Sequence, residues 1–118
     1  IAFERLEALR YAHFLKKDGV MIVNDLRMDP MPVSIGAAQY PENIIENLKK
    51  KHQVISLDAQ ALAKEIGNAR VFNTIIIGVA AKRMDFAKED WLKVIEETVP
   101  QKTIEINTRA FEAGYALG

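Results

Sequence analysis

The stretch Gly19-Val20-Met21-Ile22-Val23-Asn24 decides the fold class of this sequence. Its four central residues are apolar without alternation, which is typical of a short strand covered on both faces in a parallel sheet. Val54-Ile55-Ser56-Leu57 is a second stretch of this kind, and it is followed by Asp58 and a helical pattern. The order of strand, turn and helix predicts an α/β fold with a mainly parallel sheet.

Amphipathic patterns on either side of these strands predict five helices. The first covers residues 2–16, with Phe3, Leu9 and Phe14 on its apolar stripe. The others begin at Pro41, after the capping residue Asp58, at Asp85 or Phe86, and at Lys102. Residues 71–81 are apolar all round, so periodicity does not separate a strand from a buried helix there. Two strands are few for a sheet covered on both faces, so we expect residues outside this segment or another chain to complete it.

The composition excludes several classes of protein. The 118 residues carry 16 basic and 16 acidic side chains, so no excess of positive charge attracts nucleic acid or an anionic membrane. Cysteine is absent, which excludes disulfides, thiol nucleophiles and thiolate-bound iron–sulfur clusters within these residues. No apolar stretch reaches the roughly 20 residues of a membrane span and no signal peptide opens the chain, so we predict a cytoplasmic protein.

Residues that usually carry catalysis are poorly placed in this sequence. His13 and His52 fit no metal-ligand spacing, and Ser34 and Ser56 lack the Gly-x-Ser-x-Gly elbow of a nucleophile. The six glycines are scattered and form neither a Gly-x-Gly-x-x-Gly nor a Walker loop. We therefore predict no catalytic residue and no metal ligand in this chain.

Polar residues at the carboxyl ends of the predicted strands are the candidate contacts to a substrate or cofactor. Ligands of open α/β sheets bind beyond these strand ends, and Asn24, Asp25 and Asp58 lie there. The same side chains are suited to capping turns and helices, so both interpretations stay open.

Three asparagines form a second polar group, for which we predict a structural role. Asn73 and Asn107 lie within otherwise apolar helical faces, and Asn68 follows a helix-ending glycine. A buried amide needs hydrogen-bond partners, so we expect these side chains to bridge segments of the protein. For Asn73 we expect a bridge from the buried residues 71–81 to their neighbours.

Residues 25–40 form a long connection without helical or strand periodicity. The segment contains Met28, Met31 and Ile35 among prolines and a glycine. Long loops are usually functional, and methionine suits irregular surfaces that pack against a partner. We predict that this loop contacts another subunit.

An ordered set of short motifs resembles the gamma-type domain of the 2-oxoacid:ferredoxin oxidoreductases along nearly the whole chain. The motifs are Phe3-Glu4-x-x-Glu7-Ala8-Leu9-Arg10, Gly19 to Asn24, Asp58-Ala59, Gly67-Asn68 followed by Asn73 and Gly78, and Val99-Pro100-x-Lys102 continuing through Glu105-x-Asn107-x-x-Ala110-Phe111-x-x-Gly114. Each motif is short, and only their order is specific.

The resemblance implies a partial three-layer Rossmann-like domain that is truncated at its amino end. Members of the family begin with a strand, a Gly-x-Gly-Gly-Gln-Gly turn and an Arg-Gly-Gly segment, none of which occurs here. Residues 1–118 would then be the carboxyl portion of a single gamma-type domain. The resemblance also favours a helix for residues 71–81.

In this family the reaction is the coenzyme A-dependent oxidative decarboxylation of a 2-oxoacid of the indolepyruvate or pyruvate type. Thiamine diphosphate, magnesium and iron–sulfur clusters carry the chemistry, and ferredoxin takes the electrons. The resemblance implies that a catalytic partner subunit holds these groups and that this chain binds none of them. We expect an accessory part of an oligomeric enzyme, inactive by itself. The alternative is a free-standing α/β module that binds a small ligand through Asn24 and Asp58.

Overall fold

The computed structural model describes all 118 residues. The chain forms two compact units, residues 1–57 and 58–118. The first unit contains α1 (Arg5–Tyr11), β1 (Val20–Asn24), α2 (Met31–Ser34), α3 (Ile44–Lys49) and β2 (Gln53–Leu57), with a short 3-10 helix at Ala12–Phe14. The second contains α4 (Ala59–Ile66), α5 (Phe72–Ala81), α6 (Lys88–Thr98) and α7 (Ile104–Leu117), with 3-10 helices at Ala69–Val71 and Gln101–Thr103. No helix is long and apolar enough to cross a membrane.

The two predicted strands pair in parallel, which confirms the α/β class and the parallel sheet. Their register runs from Val20 opposite Gln53 to Asn24 opposite Leu57. β1 is almost wholly buried, and its Met21 and Val23 pack in one core with Ala8, Ile44 and Leu48, whereas β2 is half-buried. Ala2 also pairs in parallel with Val23, through backbone bonds to Ile22 and Asn24.

The predicted first helix is wrong at its start and in its orientation. Ala2 is extended rather than helical, and the helix begins at Arg5 with Glu4 as its cap. Phe3, Leu9 and Phe14 of the expected apolar stripe are exposed, and small Ala8 is the buried residue. The pairing of Ala2 and the buried Glu4 carboxylate set the rotation of α1, so the largest apolar side chains do not decide which side packs inward.

Three further helices begin later than predicted, and one of them, α7, begins at Ile104 instead of Lys102 because a 3-10 helix at Gln101–Thr103 precedes it. α3 begins at Ile44 instead of Pro41, because Asn43 adopts the left-handed conformation (φ 54°) and interrupts the helical backbone. α6 begins at Lys88 instead of Asp85 or Phe86. The loop of residues 25–40 is irregular as predicted, except for the short helix α2.

The core of the second unit is built by α5 and α7, and the helix expected for residues 71–81 is confirmed. Ile75, Val79 and Phe111 are fully buried in it. Gly78 and Gly114 allow the two helix backbones to touch, since a Cβ atom at Gly114 would lie 1.8 Å from the Ile75 carbonyl oxygen. Glycine is therefore required there by the close approach of two backbones.

Candidate functional site

An open polar cleft of about 890 Å³ in the first unit is the main candidate site of this chain. Asp25, which directly follows β1, and Ser56 of β2 contribute to its wall. Arg5, Arg27 and Tyr40 also line it. The cleft thus includes residues at the carboxyl ends of the parallel strands, where ligands of α/β sheets bind.

Glu4 is a buried carboxylate that organises one side of this region, with only 7% of its surface exposed. One oxygen, Oε2, accepts a hydrogen bond of 3.1 Å from the Glu7 N–H and so caps α1. The other, Oε1, accepts from the Met28 N–H at 3.2 Å and from the Tyr40 hydroxyl. A single side chain therefore ties the start of α1 to both ends of the loop 25–40.

Tyr40 remains a neutral phenol in this arrangement. Burial raises its pKa to about 12, and the hydrogen bond to the Glu4 carboxylate and the negative charge of Glu4 add to this effect. The Tyr40 oxygen also accepts a 3.2 Å bond from the Leu6 N–H, and the Arg27 guanidinium lies 4.5 Å from the ring centre. Tyr40 is consequently unsuited to act as a base near neutral pH, and its ring supports a cation.

Two arginines that line the cleft are each paired with an aspartate. Arg5 Nε is 2.5 Å from Asp25 Oδ1, and Arg27 Nε is 2.6 Å from Asp29 Oδ1. Both pairs are partly exposed, so each adds little stability by itself. Their chemical effect is to orient two guanidinium groups while keeping the local charge balanced, which suits recognition of a polar ligand better than catalysis.

The structure places the three predicted ligand contacts in different settings. The Asn24 side chain is fully buried and donates to the Phe3 carbonyl at 3.2 Å, which does not favour contact with a ligand. Asp25 lines the cleft. Asp58 begins the second unit, where its Oδ1 accepts a 2.9 Å bond from the Ala61 N–H and caps α4. Ligand contact by any of these residues stays a prediction.

The three asparagines also differ from one another. Asn73 is exposed, so the expected buried bridge is wrong; its Oδ1 accepts from the N–H of the adjacent Thr74 at 2.9 Å. Thr74 is the buried polar residue, and its hydroxyl donates to Asn107 Oδ1 at 2.8 Å. Asn107 Nδ2 donates to the Thr103 carbonyl, and Asn68 caps the short helix at Ala69–Val71.

Sequence reasoning missed Glu4, Tyr40 and Thr74. Glutamate is not a preferred N-cap residue, and 36 positions separate Glu4 from Tyr40, so no local signal connects them. Thr74 is one position from Asn73, and an apolar segment without periodicity does not show which of two neighbours faces the core. No group of three or more His, Asp or Glu side chains is placed to hold a metal ion.

Comparison with known proteins identifies the class to which this α/β chain belongs. Residues 1–117 match the family described as pyruvate ferredoxin/flavodoxin oxidoreductase, and the chain is a member of that family. The predicted resemblance is thereby confirmed.

Two subunits of indolepyruvate oxidoreductase are similar to nearly the whole of this chain. It is 38% identical over 122 residues to the indolepyruvate oxidoreductase subunit IorB of Thermococcus kodakarensis, covering 97% of this chain and 59% of that protein. It is 36% identical over 120 residues to the IorB subunit of Archaeoglobus fulgidus, covering 98% of this chain and 60% of that protein. The chain thus spans about three-fifths of the length of these relatives.

A solved structure supports the fold. The gamma subunit of a keto/oxoacid ferredoxin oxidoreductase from Geobacter sulfurreducens matches with a TM-score of 0.70 and 21% identity. The match covers 98% of this chain and 62% of that subunit.

Proposed function

We propose that this chain is an accessory part of a 2-oxoacid:ferredoxin oxidoreductase that uses a substrate of the indolepyruvate type. The observation that carries this proposal is the family match along residues 1–117, together with the similarity to two IorB subunits. The reaction would be coenzyme A-dependent oxidative decarboxylation with ferredoxin as electron acceptor.

The side chains present here do not fit the redox and thiamine cofactors of such an enzyme. An iron–sulfur cluster needs thiolates, and this chain has no cysteine. Magnesium needs several oxygen ligands in one place, and no such acidic cluster exists among the described residues. The proposal therefore assigns thiamine diphosphate, magnesium and the iron–sulfur clusters to a catalytic partner subunit.

We assign the loop 25–40 to contact with that partner. Met28, Met31 and Ile35 are exposed, with 72% of the Met31 surface accessible. Exposed methionines pack readily against irregular surfaces of another protein. The Glu4 carboxylate holds the loop near its two ends, which lowers the entropy lost when a partner covers it.

Co-expression with the catalytic subunit tests this function. The purified pair is expected to reduce ferredoxin when supplied with indolepyruvate and coenzyme A, and either chain alone is expected to be inactive. Hydrogen exchange at residues 25–40 should slow in the assembled enzyme. A catalytic subunit that is fully active without this chain would contradict the proposal.

The polar cleft favours one alternative, a module that binds a small ligand by itself. Its two oriented guanidinium groups would suit a polar ligand with hydrogen-bond acceptors. Isothermal titration of the isolated chain with 2-oxoacids and coenzyme A distinguishes the two functions. Saturable binding by a stable monomer that forms no complex with the catalytic subunit would favour the module.

A further inference from the structure

The second unit carries an apolar cleft on α6 that its own core leaves uncovered. The cleft has a volume of about 230 Å³ and is lined by Phe86, Asp90, Trp91 and Val94. Phe86 is 65% exposed and Val94 is half-exposed, while Trp91 stacks on the buried Phe111 with ring centres 6.2 Å apart. α6 itself has no fully buried residue. One side of this helix therefore packs on α7, and an apolar strip beside that contact faces outward.

Negative charge borders this strip. Asp90 and Glu97 lie four residues before and three residues after Val94, so both are its neighbours on the helix surface. Neither carboxylate forms a salt bridge within the chain. α6 carries four carboxylates against two lysines, and one of these, Lys88, is paired with Glu112 at 3.1 Å. α6 therefore carries more negative than positive charge although the chain has zero net charge, and Lys93 is its one lysine without a salt bridge.

The indole nitrogen of Trp91 is a second indication that this surface binds another polypeptide. Its Nε1 is buried and has no hydrogen-bond partner in the chain. Buried donors are nearly always paired, and leaving one unpaired is costly. Phe86 packs edge-on against Trp91 with ring centres 6.1 Å apart and belongs to the connection between α5 and α6. The indole N–H stays unsatisfied unless an acceptor from outside the chain reaches it.

We propose that the cleft formed by Phe86, Trp91 and Val94 on α6 docks an apolar segment bearing lysine or arginine from the partner subunit. The apolar side chain of this segment fills the cleft, its cation pairs with Asp90, and a backbone carbonyl accepts from the Trp91 indole. Charge complementarity decides the occupant, because an acidic border attracts a basic segment and repels anionic lipid. The inference rests on the proposed accessory function and names a second surface through which it operates.

Substitutions in the full-length protein, assembled with its catalytic subunit, test the docking site. Val94→Glu places a charge in the cleft and should weaken binding to the partner by about tenfold or more. Leu117→Glu is the matched control, since Leu117 is also half-exposed in the same unit and should change the affinity by less than about twofold. Circular dichroism of both variants verifies that they fold.

Asp90→Lys reverses the charge at the edge of the cleft. It should weaken binding by about three- to fivefold at low salt, and the difference from the unsubstituted protein should shrink as salt is raised. Unchanged affinity in both Val94→Glu and Asp90→Lys would overturn the inference.

A photoreactive benzoylphenylalanine at position 94 identifies the occupant. The expected product is a cross-link to a segment of the catalytic subunit that contains lysine or arginine. A cross-link within the same polypeptide, or to a second copy of it, would overturn the proposal while leaving the accessory function intact. Failure of the unsubstituted protein to assemble with the catalytic subunit would overturn both.

Discussion

Replacing Gly114 by alanine should strongly destabilise the second unit, although alanine is the better helix former. In an exposed helix the change would gain about 1 kcal/mol. Here the new Cβ would lie 1.8 Å from the Ile75 carbonyl oxygen, whereas ordinary contacts are 3.4–4 Å. α5 and α7 would have to move apart by roughly 1.5 Å, and gaps of this size forfeit half or more of a dispersion contact.

The cost of this separation falls on the fully buried residues between the two helices. Ile75, Val79 and Phe111 all have zero exposure. A loss of about 1–2 kcal/mol for each gives a total of about 3–6 kcal/mol, which exceeds the usual overpacking effect of about 1–3 kcal/mol because backbone rather than side chain must yield. Subtracting the gain in helix propensity leaves a net destabilisation of about 2–5 kcal/mol.

Urea unfolding followed by circular dichroism and by the fluorescence of the single tryptophan measures this difference. Arg109→Gly and Arg109→Ala serve as controls, since Arg109 is an exposed position of the same helix. The difference in unfolding free energy between these two variants measures the contribution of helix propensity, and it should be about 1 kcal/mol in favour of alanine. If Gly114→Ala were as stable as the unsubstituted protein, the close backbone contact would not exist in solution.

Three further predictions concern the polar contacts. Glu4→Gln should increase hydrogen exchange of Met28 and its loop more than exchange of β1, because a neutral amide is a weaker acceptor for two of the donors that Glu4 now holds. Tyr40→Phe should remove a pH dependence of the unfolding free energy. Because the pKa of Tyr40 is raised to about 12 in the folded protein, the neutral phenol stabilises the fold below pH 10, and this contribution is lost as the pH rises from about 10 to about 12. Urea unfolding of both proteins across this pH range measures the difference. Thr74→Val should cost about 1–2 kcal/mol in unfolding free energy by leaving Asn107 Oδ1 without its donor, whereas Asn73→Leu should stay within about 0.5 kcal/mol. Equal effects at the two positions would contradict the placement of Thr74 rather than Asn73 in the core.

The strands could be predicted from the sequence because their signal is local. Four consecutive apolar residues closed by Asn24 have few alternatives to a covered strand, and β1 and β2 were placed within one residue. The orientation of α1 could not be predicted in this way. Its inward side is fixed by the pairing of Ala2 with Val23 and by the burial of Glu4, and both depend on residues that are distant along the chain.

The same distinction explains why the candidate site was only partly predicted. Asp25 could be named because it directly follows a strand, and it does line the cleft. The Glu4–Tyr40 contact could not, since it joins residues that no helical or strand period relates. Asn73 is predicted to be the buried polar group of residues 71–81, yet the structure buries Thr74 instead, because a threonine hydroxyl needs only one good acceptor and Asn107 supplies it.

The buried Glu4 carboxylate links the fold of the first unit to its proposed role in assembly. A loop that exposes Met28 and Met31 to water has no core of its own to order it. Bonds from Glu4 Oε1 to the Met28 N–H and to the Tyr40 hydroxyl fix the loop near both ends, and the cap on α1 fixes Glu4 itself. Ordering is then achieved before any partner arrives, so that the apolar side chains are presented in one arrangement and less entropy is lost on binding. The hydrogen bonds of Glu4 thereby hold the exposed apolar side chains of the loop in place for binding.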